Sequence, residues 1–138
     1  MKPLCEGEII TLPEATLVDF MVEVEEGRDI SVLQLTDTQI MDSGQKRYPG
    51  RIGTAETNYW ATDMIEERCL NYIGETVEAT NPDLILLTGD IVYGEFDDNG
   101  SALLNLVEYM ESLNIPWAPI MGNHENESKM GADWQCQV

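Results

Sequence analysis

Positive charge is scarce in this sequence. Lys and Arg account for 7 of 138 residues against 26 Asp and Glu, a formal net charge of −19, so the long-range field repels phosphate backbones and anionic membrane surfaces. Nucleic acid and membranes are therefore not expected partners. Long apolar runs are also missing. None approaches the roughly 18 residues that a membrane-crossing helix requires, and a soluble protein is expected. The stretch from Met1 to Glu8 lacks the apolar core and small-residue cleavage site of a secretory signal, which makes the cytoplasm the expected location. Cysteine is sparse: Cys5, Cys69 and Cys136 are odd in number and contain no Cys-x-x-Cys pair. This speaks against a disulfide frame or a structural zinc, and in a reducing compartment the sequons at Asn99 and Asn126 carry little weight. Histidine is reduced to one residue, His124.

What is present reads as one globular α/β domain without repeats or linkers. Ala15 to Val24, then Glu25 to Asp29 with Gly27, then Ile30 to Leu35 suggest two strands joined by a turn. Gly44 to Gly53, with Pro49 and no apolar period, leaves the sheet as a long loop. It contains the basic cluster Lys46, Arg47 and Arg51, which fits a solvated loop better than a substrate-phosphate contact. From about Thr57 to Thr80, apolar residues from Ala61 to Val77 recur every three or four positions and predict a helix, stopped by Asn81-Pro82. Leu84 to Leu87 is apolar without alternation, as expected for a parallel strand covered on both faces. A second helix follows, with Leu103, Leu106, Val107, Met110 and Leu113 on one face. Ile115 to Met121 then reads as a strand that Pro116 and Pro119 confine to an edge or a short length. The order is a hairpin followed by βαβαβ.

Three short motifs each follow an apolar, strand-like run: Thr36-Asp37-Thr38-Gln39, Gly89-Asp90 and Gly122-Asn123-His124-Glu125. Taken singly, an Asp past a strand end is commonly a turn or capping residue. Three such ends on neighbouring strands bring Asp37, Asp90, Asn123 and His124 to one rim, where α/β folds gather their chemistry and where oxygen and imidazole donors suit Mn, Fe, Zn or Mg. Glu95 to Gly100 imitates the start of a calcium loop, but Leu106 occupies the place of the bidentate Glu, and a solvated loop is the better reading.

The ordered combination of strand-Asp, strand-Gly-Asp and strand-Gly-Asn-His-Glu resembles the calcineurin-like metallophosphoesterases over about Ile30 to Glu125. The resemblance implies the N-terminal half of a four-layer αββα sandwich. It also implies hydrolysis of a phosphomonoester or phosphodiester, on a small molecule or a phosphoprotein, with two divalent or mixed-valence metal ions. By the same resemblance Asp37 ligates the first metal, Asp90 bridges both, Asn123 offers its amide oxygen to the second, His124 is the general acid and Glu125 orients its imidazole.

Two departures accompany the resemblance. Gln39 stands where the family commonly has a ligating His. Purple acid phosphatases, in the same broad group, instead use a Tyr three residues after the bridging Asp. Tyr93 has that spacing from Asp90, so it is either a compensating ligand or a packed strand-end residue. The family's later histidines, ending in Gly-His-x-His, have no counterpart before Val138. The expectation is thus a truncated domain, inactive alone and prone to self-association through an exposed sheet face. Two other classes compete. A non-catalytic protein-binding scaffold on this fold tolerates an incomplete metal site. A phospho-acceptor receiver domain fits the length, but it normally has an acidic pair after its first strand and a Lys after its last, and this chain has neither.

Overall fold

A computed structural model describes residues 21–45, 53–60 and 63–138. Three strands, β1 (Val32–Leu35), β2 (Leu84–Thr88) and β3 (Trp117–Ile120), form one parallel sheet in the order β1-β2-β3. Helices α1 (Thr54–Trp60) and α2 (Ile65–Thr80) lie between β1 and β2, α3 (Ser101–Ser112) lies between β2 and β3, and α4 (Ala132–Gln135) follows. Two single 3₁₀ turns, Gly94–Phe96 and His124–Glu127, come after β2 and β3. The α/β reading and the βαβαβ order hold. Among the described residues no helix is long and apolar enough to cross a membrane.

Strand order dictates where the core sits. Parallel strands added successively in one direction, through crossovers of one hand, place every connecting helix on the same face. Accordingly Ile73 and Val77 of α2 and Ala102, Leu106 and Met110 of α3 share one cluster with Ile85 and Leu87 of β2. Among the described residues the opposite face is open. Val32 pairs with Leu84 and Thr88 with Ile120, and register partners point to one side of a sheet. Val32 and Ile120 are 45% and 58% exposed there. β2 is thus covered on one face among the described residues, where its unbroken apolar run predicts two. Ile85 and Leu87 are buried, whereas Leu84 and Leu86 are only partly so.

Local chemistry explains the boundaries. The helix expected from about Thr57 is two helices, α1 and α2. Glu66 and Glu67 occupy the first turn of α2, where carboxylates oppose the positive end of the helix dipole. It ends with Asn81 in the left-handed conformation, its N–H on the Val77 carbonyl, just before Pro82. The loop ahead of α3 is not the solvated segment its acidic composition implies. Phe96 and Asp97 are buried, and the Asp97 carboxylate accepts the Ala102 and Leu103 N–H groups, capping the helix. Burial raises the Asp97 pKa above the usual range. β3 lies at the edge of the described sheet, as Pro119 within it requires.

The turn before β1 is present, with the Arg28 N–H on the Glu25 carbonyl. However, Met21 to Val24 form no strand, so the first half of the expected hairpin is absent from its described part. Residues 15–20, and Lys46, Arg47 and Arg51, lie outside the described residues. The Arg28 guanidinium makes two 2.7 Å hydrogen bonds to Asp83, tying the turn to the start of β2.

Candidate active site at the carboxyl rim of the sheet

The three motifs occupy the carboxyl ends of β1, β2 and β3. Past Leu35 and Thr88 the two chains remain paired. The Asp37 N–H donates to the Gly89 carbonyl at 3.1 Å, the Gln39 N–H to the Asp90 carbonyl at 2.9 Å, and the Ile40 N–H to the Ile91 carbonyl at 3.0 Å. The path requires the left-handed conformation at three residues that carry side chains, Asp37 (φ 54°), Gln39 (φ 43°) and Asp90 (φ 49°). Such outliers cost about 1–3 kcal/mol each and cluster at functional sites. Thr36 steadies the first of them, its hydroxyl reaching Asp37 Oδ2 at 2.5 Å.

The third motif is fastened to the second by a carboxylate. Asp90 Oδ1 accepts the Asn123 N–H at 2.9 Å and the His124 N–H at 3.1 Å. This requires glycine at 122, because a Cβ there would lie 2.2 Å from that oxygen. Glu125 supplies the reciprocal fastening. It is fully buried, with Oε1 accepting the Ile91 and Val92 N–H groups and Oε2 the Gly122 N–H. Three backbone donors are what a buried carboxylate needs to offset its lost hydration. The Gln135 amide in turn donates to the Glu125 carbonyl, which locks α4 beneath the turn.

His124 is held on two sides. Its Nδ1 lies 2.6 Å from Glu127 Oε2, and its ring stacks on Tyr93 with centroids 4.8 Å apart. Tyr93 also stacks on Phe96 at 5.4 Å. The Glu127 hydrogen bond raises the imidazole pKa, burial opposing it to a lesser extent. The carboxylate in contact with the imidazole is thus Glu127, whereas both oxygens of Glu125, the residue the resemblance points to, accept backbone amides. The available signal was spacing: His124 and Glu127 open and close a 3₁₀ turn, in which side chains three apart eclipse. Gly94 presses against this turn, since a Cβ on it would fall 2.1 Å from the His124 carbonyl oxygen.

The rim thus joins Asp37, Gln39, Asp90, Asn123 and His124 through shared backbone hydrogen bonds, with Tyr93 packed on the imidazole. Its oxygen donors, two carboxylates and two amides, are of the hard type that suits Mg or Mn. Among the described residues, however, no three His, Cys, Asp or Glu side chains are grouped to hold a metal ion.

A family model described as calcineurin-like phosphoesterase matches residues 30–137. The chain belongs to the calcineurin-like phosphoesterase family. Among relatives of this chain is a Schizosaccharomyces pombe protein named only as uncharacterized, 30% identical over 121 residues, covering 86% of this chain and 23% of its own. The Arabidopsis thaliana protein named probable inactive purple acid phosphatase 28 is 35% identical over 60 residues, covering 43% of this chain and 15% of its own. The Saccharomyces cerevisiae protein named phosphatase DCR2 is 30% identical over 66 residues, covering 46% and 11%. The chain spans less than a quarter of the length of these relatives. No solved structure matches it.

Proposed function

We propose that this rim belongs to a metal-dependent phosphoester hydrolase, with Asp37, Asp90 and Asn123 as metal ligands and His124 as the acid that protonates the leaving oxygen. The reading rests chiefly on the Asp90 carboxylate, one oxygen of which gathers the backbone of Asn123 and His124 and so fixes the acid relative to the ligand positions. Members of the family generally use divalent metals, which neutralise the charge of a transferring phosphoryl group. The contact with Glu127 keeps His124 protonated to higher pH than an isolated imidazole, the state a general acid requires. Gln39, a neutral donor, is a weak ligand position. Tyr93 is a positioning residue, since its ring is engaged with His124 and Phe96.

A second reading has an observation in its favour. Relatives named probable inactive purple acid phosphatases suggest a non-catalytic scaffold. Hydrolysis of para-nitrophenyl phosphate and its bis ester with Mn²⁺ separates the two, measured for the 138-residue chain and for the product of the full open reading frame encoding it. The expected result is background turnover for the chain alone. The full product should show metal-dependent turnover that falls at least about 100-fold in His124→Ala and Asp90→Asn, within the range for loss of a general acid. No turnover by the full product with any divalent metal would establish the scaffold.

A further inference from the structure

Beside the rim lies a cavity of about 590 Å³, lined by Gln39 and Tyr93 of the rim together with Met41, Arg68, Cys69 and Tyr72. Its size falls within the range of small-molecule sites. Met41 is buried, Cys69 is partly so, and Tyr72 is 67% exposed. Burial pushes the Cys69 thiol up to about 11, so it is neutral lining. Arg68 and Tyr72 stand one turn apart on α2. Among the described residues Arg28 and Lys129 are paired with Asp83 and Asp98, whereas Arg68 has no ion pair. The other large cavity near α2, about 650 Å³, is lined by Asp63, Glu66, Glu67 and Glu108 and repels anions.

We propose that the Arg68 cavity is the leaving-group subsite, taking an aryl alcohol portion that bears a carboxylate or similar planar anion. The inference rests on the hydrolase reading of the rim. Tyr93 touches both places, lining the cavity and stacking on His124, so an organic group whose phosphoryl end meets the rim is led into it. Tyr72 offers an uncovered aromatic ring for an aryl group to stack on. The Arg68 guanidinium matches a planar carboxylate in two parallel hydrogen bonds. In a chain of net charge −19 an unpaired cation at the cavity selects the end of the substrate that enters.

Binding can be measured without hydrolysis, by titrating 4-hydroxybenzoate and phenol into the 138-residue chain and following tyrosine ring and methionine methyl NMR signals. The expected result is at least 5-fold tighter binding of 4-hydroxybenzoate, with shifts at Met41, Tyr72 and Tyr93, a preference abolished by Arg68→Gln. Tyr72→Ala should weaken both ligands. Equal affinities, shifts elsewhere, or an Arg68→Gln variant that keeps the preference would overturn the assignment. The two readings fail separately. Binding with this pattern in a protein that hydrolyses nothing sustains the cavity and sinks the hydrolase. Hydrolysis by the full product with equal kcat/KM for 4-carboxyphenyl and phenyl phosphate sinks the cavity alone.

Discussion

The helix-covered face of the sheet and the rim at its carboxyl end draw on the same three strands, but their backbones and side chains obey opposite rules. On the covered face Ile85, Leu87, Leu106 and Met110 are between 0% and 1% exposed, and the backbone keeps to regular strand and helix. At the rim, side-chain-bearing residues sit at positive φ, and a fully buried carboxylate is surrounded by amide donors. The contrast shows that the rim is held in place by the core and by its own polar fastenings, and gains little stability from its local geometry. Substitutions in the two regions should therefore differ in size and even in sign.

The largest effect belongs to the covered face. Leu106→Ala should lower unfolding free energy by about 2–5 kcal/mol, read from urea melts, and a loss under about 1 kcal/mol would show that α3 is not part of a tight core. Next comes Glu125→Gln, which keeps shape but sets an amide N–H₂ against backbone donors. A cost of about 1–3 kcal/mol is expected for the group left unsatisfied, and a neutral result would mean the carboxylate does not staple β2 to β3. Gln39→Gly should act in the opposite direction. Relief of the left-handed conformation is worth about 1–2 kcal/mol, and the flexibility of glycine cancels about 0.5–1 of it, so a gain of up to about 1 kcal/mol is expected. A destabilised Gln39→Gly would break the comparison.

The smallest effect lies at the amino end of the sheet. Arg28 holds the Asp83 carboxyl down at about 2, assisted by the Ser31 N–H. Because the folded pKa is depressed, the stability it contributes is present above the ordinary value of about 3.9 and is lost as pH falls through about 2. Arg28→Gln should flatten the acid limb of the stability curve between those values and lower stability at pH 7 by the same small amount, which solvent screening of the exposed pair keeps small. An unaltered acid limb would show that the pair is idle in solution.

Much of this was legible in the amino-acid order. Apolar runs ending in Asp37, Asp90 and Gly122-Asn123-His124 marked the strand ends, and helical spacing marked Leu106 and Met110 as core. Contacts to backbone escaped, because an amide leaves no trace in sequence. The role of Glu125 as a staple and that of Asp97 as a helix cap both rest on main-chain N–H groups. Glu127 escaped for a different reason: it is one of 26 acidic residues, and a 3₁₀ turn after β3 alone sets it beside the imidazole. Among the described residues the single covered face of β2 depends on strand order, which the apolar run at Leu84 to Leu87 does not encode.

The close approach at Gly94 has a consequence for how this protein can vary. A side chain there would fall 2.1 Å from the His124 carbonyl oxygen and 2.6 Å from the Ser128 nitrogen, both main-chain atoms that no change of rotamer can clear. In a saturation library, position 94 should therefore accept glycine alone, while its neighbour Tyr93 should still accept the flat ring of Phe. A codon with no part in chemistry would score as intolerant as the histidine itself. The genetic footprint of the site would thus extend to a residue that has no side chain to contribute to it.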